Sequence, residues 1–319
     1  LPEFDVRKIG QSNPLASGSN TITVTIQTNV NLAQADSSVV TITGLTGAPD
    51  RASLALTSVS NSAADLFTDG ASQGKGVLSS ETLTLTVHTG QTVAGGTQYV
   101  FSFVITNPSA AQDASAVSIA ASGTASFASA AMTTGTADRY GVTDGGKPLK
   151  VIKPSFSVKA IGQNTPLASA TVTISVTLTA NCDFPTGSAV FIVGLTGTQT
   201  TDQTTDDGVL AVASTDGTTT GLLGTTGSWT RAWTQSSGQL YLTAANGGTA
   251  QGTACTVTFN LQHAAAEYTP PSVSIAVGIQ DGSTALGSIL QVAMDPPNAP
   301  LLGVHNGANP LVVVLPEFD

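Results

Sequence analysis

Thr21-Ile22-Thr23-Val24-Thr25-Ile26 alternates threonine with a β-branched apolar residue from end to end. Successive side chains of an extended chain point to opposite faces, so Ile22, Val24 and Ile26 share one face and the threonines the other. The stretch reads as a half-buried strand. The alternation returns in Val39-Val40-Thr41-Ile42-Thr43, in Thr82-Leu83-Thr84-Leu85-Thr86-Val87 and in Val100-Phe101-Ser102-Phe103-Val104-Ile105. The spacing of an amphipathic helix is missing. Threonine suits the outward positions, because a β-branched side chain fits a pleated surface and its hydroxyl faces water. Gly, Asn, Asp, Ser and Thr cluster between the runs and supply turns. The expectation is an all-β chain of antiparallel strands, packed as sandwiches because each strand has one apolar face to bury.

The same stretch exposes a duplication. It is answered by Thr173-Ile174-Ser175-Val176-Thr177-Leu178, and the segment before it, Ile9-Gly10-Gln11-Ser12-Asn13-Pro14-Leu15-Ala16-Ser17, returns as Ile161-Gly162-Gln163-Asn164-Thr165-Pro166-Leu167-Ala168-Ser169. Gly44-Leu45-Thr46-Gly47 is answered by Gly194-Leu195-Thr196-Gly197, and Gly96-Thr97 by Gly252-Thr253, in the same order. Whole domains are therefore repeated, one over residues 1–150 and one over 151–314. Leu315-Pro316-Glu317-Phe318-Asp319 repeats Leu1-Pro2-Glu3-Phe4-Asp5 letter for letter. Residues 315–319 thus read as the start of a third copy, and the two-domain unit as one link of a head-to-tail array. Connectors are expected at Lys147 to Pro154 and at Asn309 to Pro316, where proline locks φ and favours a fixed angle between domains.

Composition narrows the function. The 319 residues carry 10 Lys plus Arg against 20 Asp plus Glu, a net charge of −10, and only 9% are charged, against about 25% in an average soluble domain. Such a chain has nothing to neutralise a row of phosphates, which excludes nucleic acid as a partner. The greasiest run, Leu311 to Leu315, falls far short of the roughly 18 apolar residues of a membrane span. His88, His263 and His305 are scattered, with His263 aligned on Asn107 at a strand end and read as a surface residue. No His-Glu-x-x-His motif and no Gly-x-x-x-x-Gly-Lys-Ser/Thr loop is present. No acid–base pair, catalytic residue or cofactor-binding residue is nominated, and the chain does not read as an enzyme.

Tandem all-β domains rich in Thr, Ser, Ala and Gly and poor in Lys resemble the immunoglobulin-like repeat domains of extracellular fibres and cell-surface stalks in microbes and algae. The resemblance spans the whole chain and is architectural. It implies two tandem antiparallel immunoglobulin-like β-sandwich domains in an extracellular or cell-surface protein. The implied role is that of a structural subunit whose partners are neighbouring copies of the same repeat in a filament. The alternative is an adhesin or glycan-binding module that reads surface glycans through loops at one end of a sandwich.

Several residues carry their own expectations. Cys182 aligns with Val30 and Cys255 with Tyr99, so two apolar residues are replaced as a pair. Strands facing each other across a sandwich would place the Cα atoms within the roughly 4.4 to 6.8 Å of a disulfide, which implies an oxidising compartment. Trp229 and Trp233, with Arg231 between them, have two readings: core or inter-domain packing, which is the expected one, or an exposed platform for a sugar ring. Asp202, Asp206 and Asp207, with Asp216 beyond and with Asp65 and Asp69 in the first domain, offer carboxylates to calcium or start Asx turns; no metal is expected. No Asn-x-Ser/Thr acceptor has a permitted middle residue, while Tyr268 to Ser272 and Asp295 to Pro300 are extended segments open to O-linked sugar.

Overall fold

The computed structural model describes residues 1–123, 125–202, 212–215, 232–244, 247–269 and 272–316. The chain divides into two units, Leu1–Lys153 and Pro154–Asp319. Among the described residues the only helical segments are two short 3-10 turns, Gln34–Asp36 and Ala63–Leu66. None is long and apolar enough to cross a membrane.

Unit 1 comprises β1 (Phe4–Gln11), β2 (Ser19–Thr28), β3 (Leu32–Ala33), β4 (Val39–Thr43), β5 (Arg51–Ser60), β6 (Phe67–Thr68), β7 (Lys75–Ser79), β8 (Thr82–Val87), β9 (Thr92–Val93), β10 (Gln98–Thr106), β11 (Ser118–Ser122), β12 (Phe127–Ala131) and β13 (Thr133–Thr134). The predicted alternation is the observed one: Ile22, Val24 and Ile26 on β2 are fully buried, and the threonines between them are half-buried. Phe67 and Phe101 meet edge to face at 5.7 Å between ring centroids, an arrangement that adds to their area burial.

Two features depart from a simple sandwich. The hydrogen-bonded path runs β12-β11-β4-β8-β7-β5-β10-β2-β1-β13, because β5 pairs with β10 through Leu56 and Phe103 and with β7 through Leu54 and Gly76. At the other seam only Met132 separates β12 from β13, so one stretch of chain leaves β11 and joins β1. Both seams are crossed by continuous backbone, and unit 1 is nearly a closed barrel. The immunoglobulin layout of two separate sheets does not describe it. The β1–β13 pair is also parallel, with Lys8 opposite Thr133.

Unit 2 comprises β14 (Phe156–Gln163), β15 (Thr171–Ala180), β16 (Gly187–Val193), β17 (Val212–Thr215), β18 (Ala232–Thr234), β19 (Gln239–Thr243), β20 (Cys255–Gln262), β21 (Ser274–Asp281) and β22 (Thr284–Ala293). Its sheets are ordered β14-β15-β20-β17 and β18-β19-β16-β21-β22. Strand for strand these repeat β1-β2-β10-β5 and β7-β8-β4-β11-β12. The register is kept as well: Tyr99 pairs with Ile26, and Cys255 with Leu178. The chain's only two methionines hold equivalent corners, Met132 donating its N–H to Val117 O at 2.8 Å and Met294 to Val273 O at 2.9 Å. An unbranched thioether fits where a strand changes sheets and the packing is irregular.

Candidate functional site

The Ile-Gly-Gln-x-x-Pro-Leu-Ala-Ser element is where each unit closes. Gln11, at the end of β1 and 5% exposed, uses its whole hydrogen-bonding capacity. Its Nε2 donates to the carbonyls of Gly145 (2.9 Å) and Lys150 (2.8 Å), and its Oε1 accepts from Leu149 N–H (2.7 Å) and Asn20 Nδ2 (2.9 Å). Leu149 is fully buried in a left-handed conformation, φ +57°. Beyond Lys150, Val151 and Ile152 lie extended between neighbours on both sides. Val151 exchanges two backbone bonds with Gln112, while Ile152 donates to Pro14 O at 2.8 Å and accepts from Ala16 N–H at 2.9 Å. Most of the expected connector Lys147 to Pro154 is therefore part of the folded unit, because Leu149 and Val151 are core residues.

Unit 2 repeats this lock. Gln163 Nε2 donates to Gly307 O and Val312 O, both at 2.9 Å, and its Oε1 accepts from Leu311 N–H at 2.6 Å. Leu311 has φ +60°, Val313 exchanges backbone bonds with Tyr268, and Val314 donates to Pro166 O at 2.8 Å. Expected connector residues again belong to the core. The surroundings differ in one respect. Unit 1 backs Gln11 with buried amides: Asn20 donates to Gln11 and to Asn107 Oδ1, and Asn107 donates to the carbonyls of Asn13 and Leu15. Val172 and His263 stand at the equivalent places in unit 2.

His263, read from sequence as a surface residue, is 1% exposed. Its Nε2 lies 2.9 Å from Thr165 O, and its buried Nδ1 has no partner. Burial holds the imidazole below its ordinary range, against an opposing contribution from the Thr165 carbonyl. A histidine whose folded pKa is depressed favours folding while neutral, and that contribution is lost as pH falls below the unfolded value of about 6.5. Melting of unit 2 should therefore drop between pH 7 and 5, and His263→Asn should flatten that dependence. Calorimetry at several pH values checks this.

The other end of each unit is held by an asparagine. Asn29 exchanges bonds with Glu3, its Oδ1 accepting from Glu3 N–H (2.9 Å) and its own N–H donating to Glu3 O (3.1 Å), while its Nδ2 donates to Leu1 O (2.9 Å). Phe4 is buried with its ring 5.0 Å from that of Phe127. In unit 2, Asn181 makes the same exchange with Ser155, at 2.8 and 3.0 Å, and Phe156 meets Phe184 edge-on at 6.0 Å. Entry and exit lie beyond opposite ends of the first strand, which spans eight residues or roughly 24 Å. A pull on the two ends of a unit acts along the strand axis. The short bonds then load together in shear instead of opening one by one.

The remaining sequence candidates are placed as follows. Cys182 and Cys255 are buried, and no disulfide joins them. The reason is topological: β15 and β20 are neighbours in one sheet rather than facing strands, and Cys182 lies beyond Leu178, the partner of Cys255. Burial, with Asp183 adding to it, pushes the Cys182 thiol up to about 12, so almost no thiolate is available to react. Neither cysteine should label with an alkylating reagent in the native chain at pH 8, and both should label after denaturation without reductant; intact mass reads the outcome. Trp233 is 1% exposed and donates its ring N–H to Thr200 O at 3.0 Å, so it presents no platform. Trp229 and Arg231 lie outside the described residues.

Asp69 accepts from Ser53 Oγ (2.6 Å), Ala71 N–H (2.9 Å) and Ser72 N–H (2.8 Å). These donors, the Ser53 hydroxyl first, lower its pKa to about 2. Asp202 accepts from Gln235 N–H at 2.6 Å; Asp206, Asp207 and Asp216 lie outside the described residues. Among the described residues no three His, Cys, Asp or Glu gather as a metal site. The Gly-x-Ser-x-Gly letters of a nucleophile elbow, a pattern the sequence was expected to lack, are present as Gly70-Ala71-Ser72-Gln73-Gly74. This stretch forms the turn between β6 and β7, not the strand-to-helix turn that chemistry requires. A cavity of about 380 Å³ in unit 2 is lined by Ile161, Met294, His305, Asn306, Asn309 and Val312, among others.

No family model and no curated protein matches the chain. Among solved structures, the C-terminal domain of the AgI/II polypeptide BspA of Streptococcus agalactiae shares 8% identity at a TM-score of 0.46, over 92% of this chain and 99% of that one. The partial N-terminal region of an enterococcal surface protein shares 8% at 0.26, over 92% and 96%. The serine-rich repeat protein Srr2 of Streptococcus agalactiae shares 8% at 0.21, over 93% and 96%. Likeness this loose carries no functional argument.

Proposed function

We propose that the chain is a load-bearing segment of an extracellular filament or surface stalk, built from head-to-tail copies of the two-unit repeat, and not an enzyme. The observation that carries this reading is the paired locking of each unit at opposite ends: Asn29 and Asn181 at the entry, Gln11 and Gln163 at the exit. An enzyme or receptor has no need to seal both ends of its domains by the same device. The low charge and small side chains suit close lateral contact between neighbours.

Electron micrographs of the native material, combined with end-to-end pulling of single molecules, test the proposal. Beaded filaments of constant axial spacing, and one abrupt high-force unfolding event per unit, are expected. Isolated particles together with units that yield gradually at low force would overturn it. The adhesin reading draws on the cavity of unit 2, whose volume lies at the lower end of small-ligand pockets. A glycan array probed with the whole chain distinguishes the two.

A further inference from the structure

The cavity of unit 2 lies beside the exit lock, where the two units keep one backbone and differ in chemistry. From Met132 to Leu149 and from Met294 to Leu311 the two copies run without a gap. Asp144 and Asn306 are equivalent and share a left-handed conformation, φ +57° and +53°. The next turn is bonded alike, Lys147 N–H donating to Asp144 O at 3.0 Å and Asn309 N–H to Asn306 O at 2.9 Å. The difference lies in the side chains.

In unit 1 these positions are charged. Lys147 Nζ meets Asp144 Oδ2 at 2.7 Å, Lys150 Nζ donates to Thr143 O, and Asp113 stands where unit 2 has Thr269. Unit 2 loses all four charges: Asp113 is replaced by Thr269, Asp144 by Asn306, Lys147 by Asn309 and Lys150 by Val312. All four replacements line the cavity of about 380 Å³, and none of the described residues lining it is Asp, Glu, Lys or Arg. Two long lysine side chains and an ion pair have given way to shorter, neutral groups.

The lining is of two kinds. Ile161, Val273 and Met294 are buried apolar residues, whereas Asn306 and Asn309 bring amides. Asn309 is fixed by Asn298, its Nδ2 donating to Asn298 Oδ1 at 2.9 Å and its Oδ1 accepting from Asn298 N–H at 2.8 Å. One N–H and one lone pair of the same planar group are left over. A charged ligand would enter such a cavity without a partner charge, which is costly. A hydrocarbon would strand the amides. A ring bearing both C–H groups and hydroxyls satisfies both kinds of wall.

We infer that this cavity binds an uncharged sugar ring, held by the amides of Asn306 and Asn309 against Ile161, Met294 and Val312. The inference rests on the adhesin reading and gives it a ligand class; the filament does not depend on it.

Unit 1 supplies the test, since its own loop carries the charged set on the same backbone. Asn306→Asp combined with Asn309→Lys rebuilds the ion pair of unit 1 and should leave unit 2 folded, which its melting reads. In saturation-transfer NMR and calorimetry with methyl glycosides of neutral hexoses and N-acetylhexosamines, the unaltered chain should bind at least one of them. The double variant should weaken that binding at least about tenfold, as expected for losing a hydrogen bond. A methyl glucuronide should bind more weakly than its neutral counterpart by a similar factor. Should the double variant unfold unit 2, Val312→Lys places unit 1's residue in the cavity and is read in the same way. No glycoside bound overturns the site, and so does a glucuronide bound as tightly as the neutral sugar. Sugar binding that the folded variants leave unchanged also overturns it, while leaving the adhesin reading in place elsewhere on the chain.

Discussion

Gln11→Ala is expected to destabilise unit 1 by about 3 to 5 kcal/mol, lowering its melting temperature by roughly 10 °C or more. The side chain makes four hydrogen bonds, three of them to the backbone of Gly145, Leu149 and Lys150. Its loss strands those groups in a region that water reaches poorly, and a buried unsatisfied group costs about 1 to 3 kcal/mol. Leu149 suffers most, because only the glutamine oxygen rewards its left-handed backbone. Once Leu149 is released, Val151 and Ile152 lose their alignment and the exit lock opens. Gln11→Glu should be no milder, since it aims carboxylate oxygens at the carbonyls of Gly145 and Lys150. Gln163→Ala should act likewise on unit 2. Denaturant titration followed in each unit gives the equilibrium effect, and pulling experiments should record a matching fall in unfolding force.

The strands were legible in the sequence because their apolar residues alternate so regularly. Ile22, Val24 and Ile26 need no tertiary information to be assigned to one face. The duplication was legible too, and it extends from letters to strand order. The seams were not. Nothing local in Arg51–Ser60 says that β5 pairs with two sheets, and Met132 is an unremarkable letter until the strand around it changes partners. The closing element was visible as a repeat but its role was hidden, because Gln11 works through carbonyls more than 130 residues away in sequence. A glutamine kept at the same place in both copies, Gln11 and Gln163, was the available signal. His263 was misplaced because a strand end next to polar neighbours reads as surface, whereas its counterpart Asn107 belongs to a buried amide network. The disulfide expectation failed for a similar reason: equivalence of two positions between copies carries no information on whether they lie across a sandwich or along one sheet.

Gly44→Ala should cost unit 1 at least about 3 kcal/mol, and Gly194→Ala a comparable amount in unit 2. Both glycines open the repeated Gly-Leu-Thr-Gly turn with positive φ, +83° and +97°. A Cβ at Gly44 would sit 2.3 Å from Ala116 O, and one at Gly194 would sit 2.7 Å from Ser272 O. The obstacle is a carbonyl in the segment leading into β11 or β21, so relief requires moving backbone that anchors a sheet. Leu45 and Leu195, the buried residues that follow, would be dragged with it. Two costs are combined here, the left-handed conformation itself and the collision. Gly90→Ala separates them: its φ is +78°, and a Cβ there meets nothing within 4 Å. That variant should lose only the conformational part, about 1 to 2 kcal/mol. If Gly44→Ala and Gly90→Ala lower stability equally in chemical denaturation, the collision is absorbed by the loop and the turn is not the rigid corner that the repeated sequence implies. A gap of about 2 kcal/mol or more between them assigns the repeat its purpose: the turn brings two backbones closer together than any side chain permits.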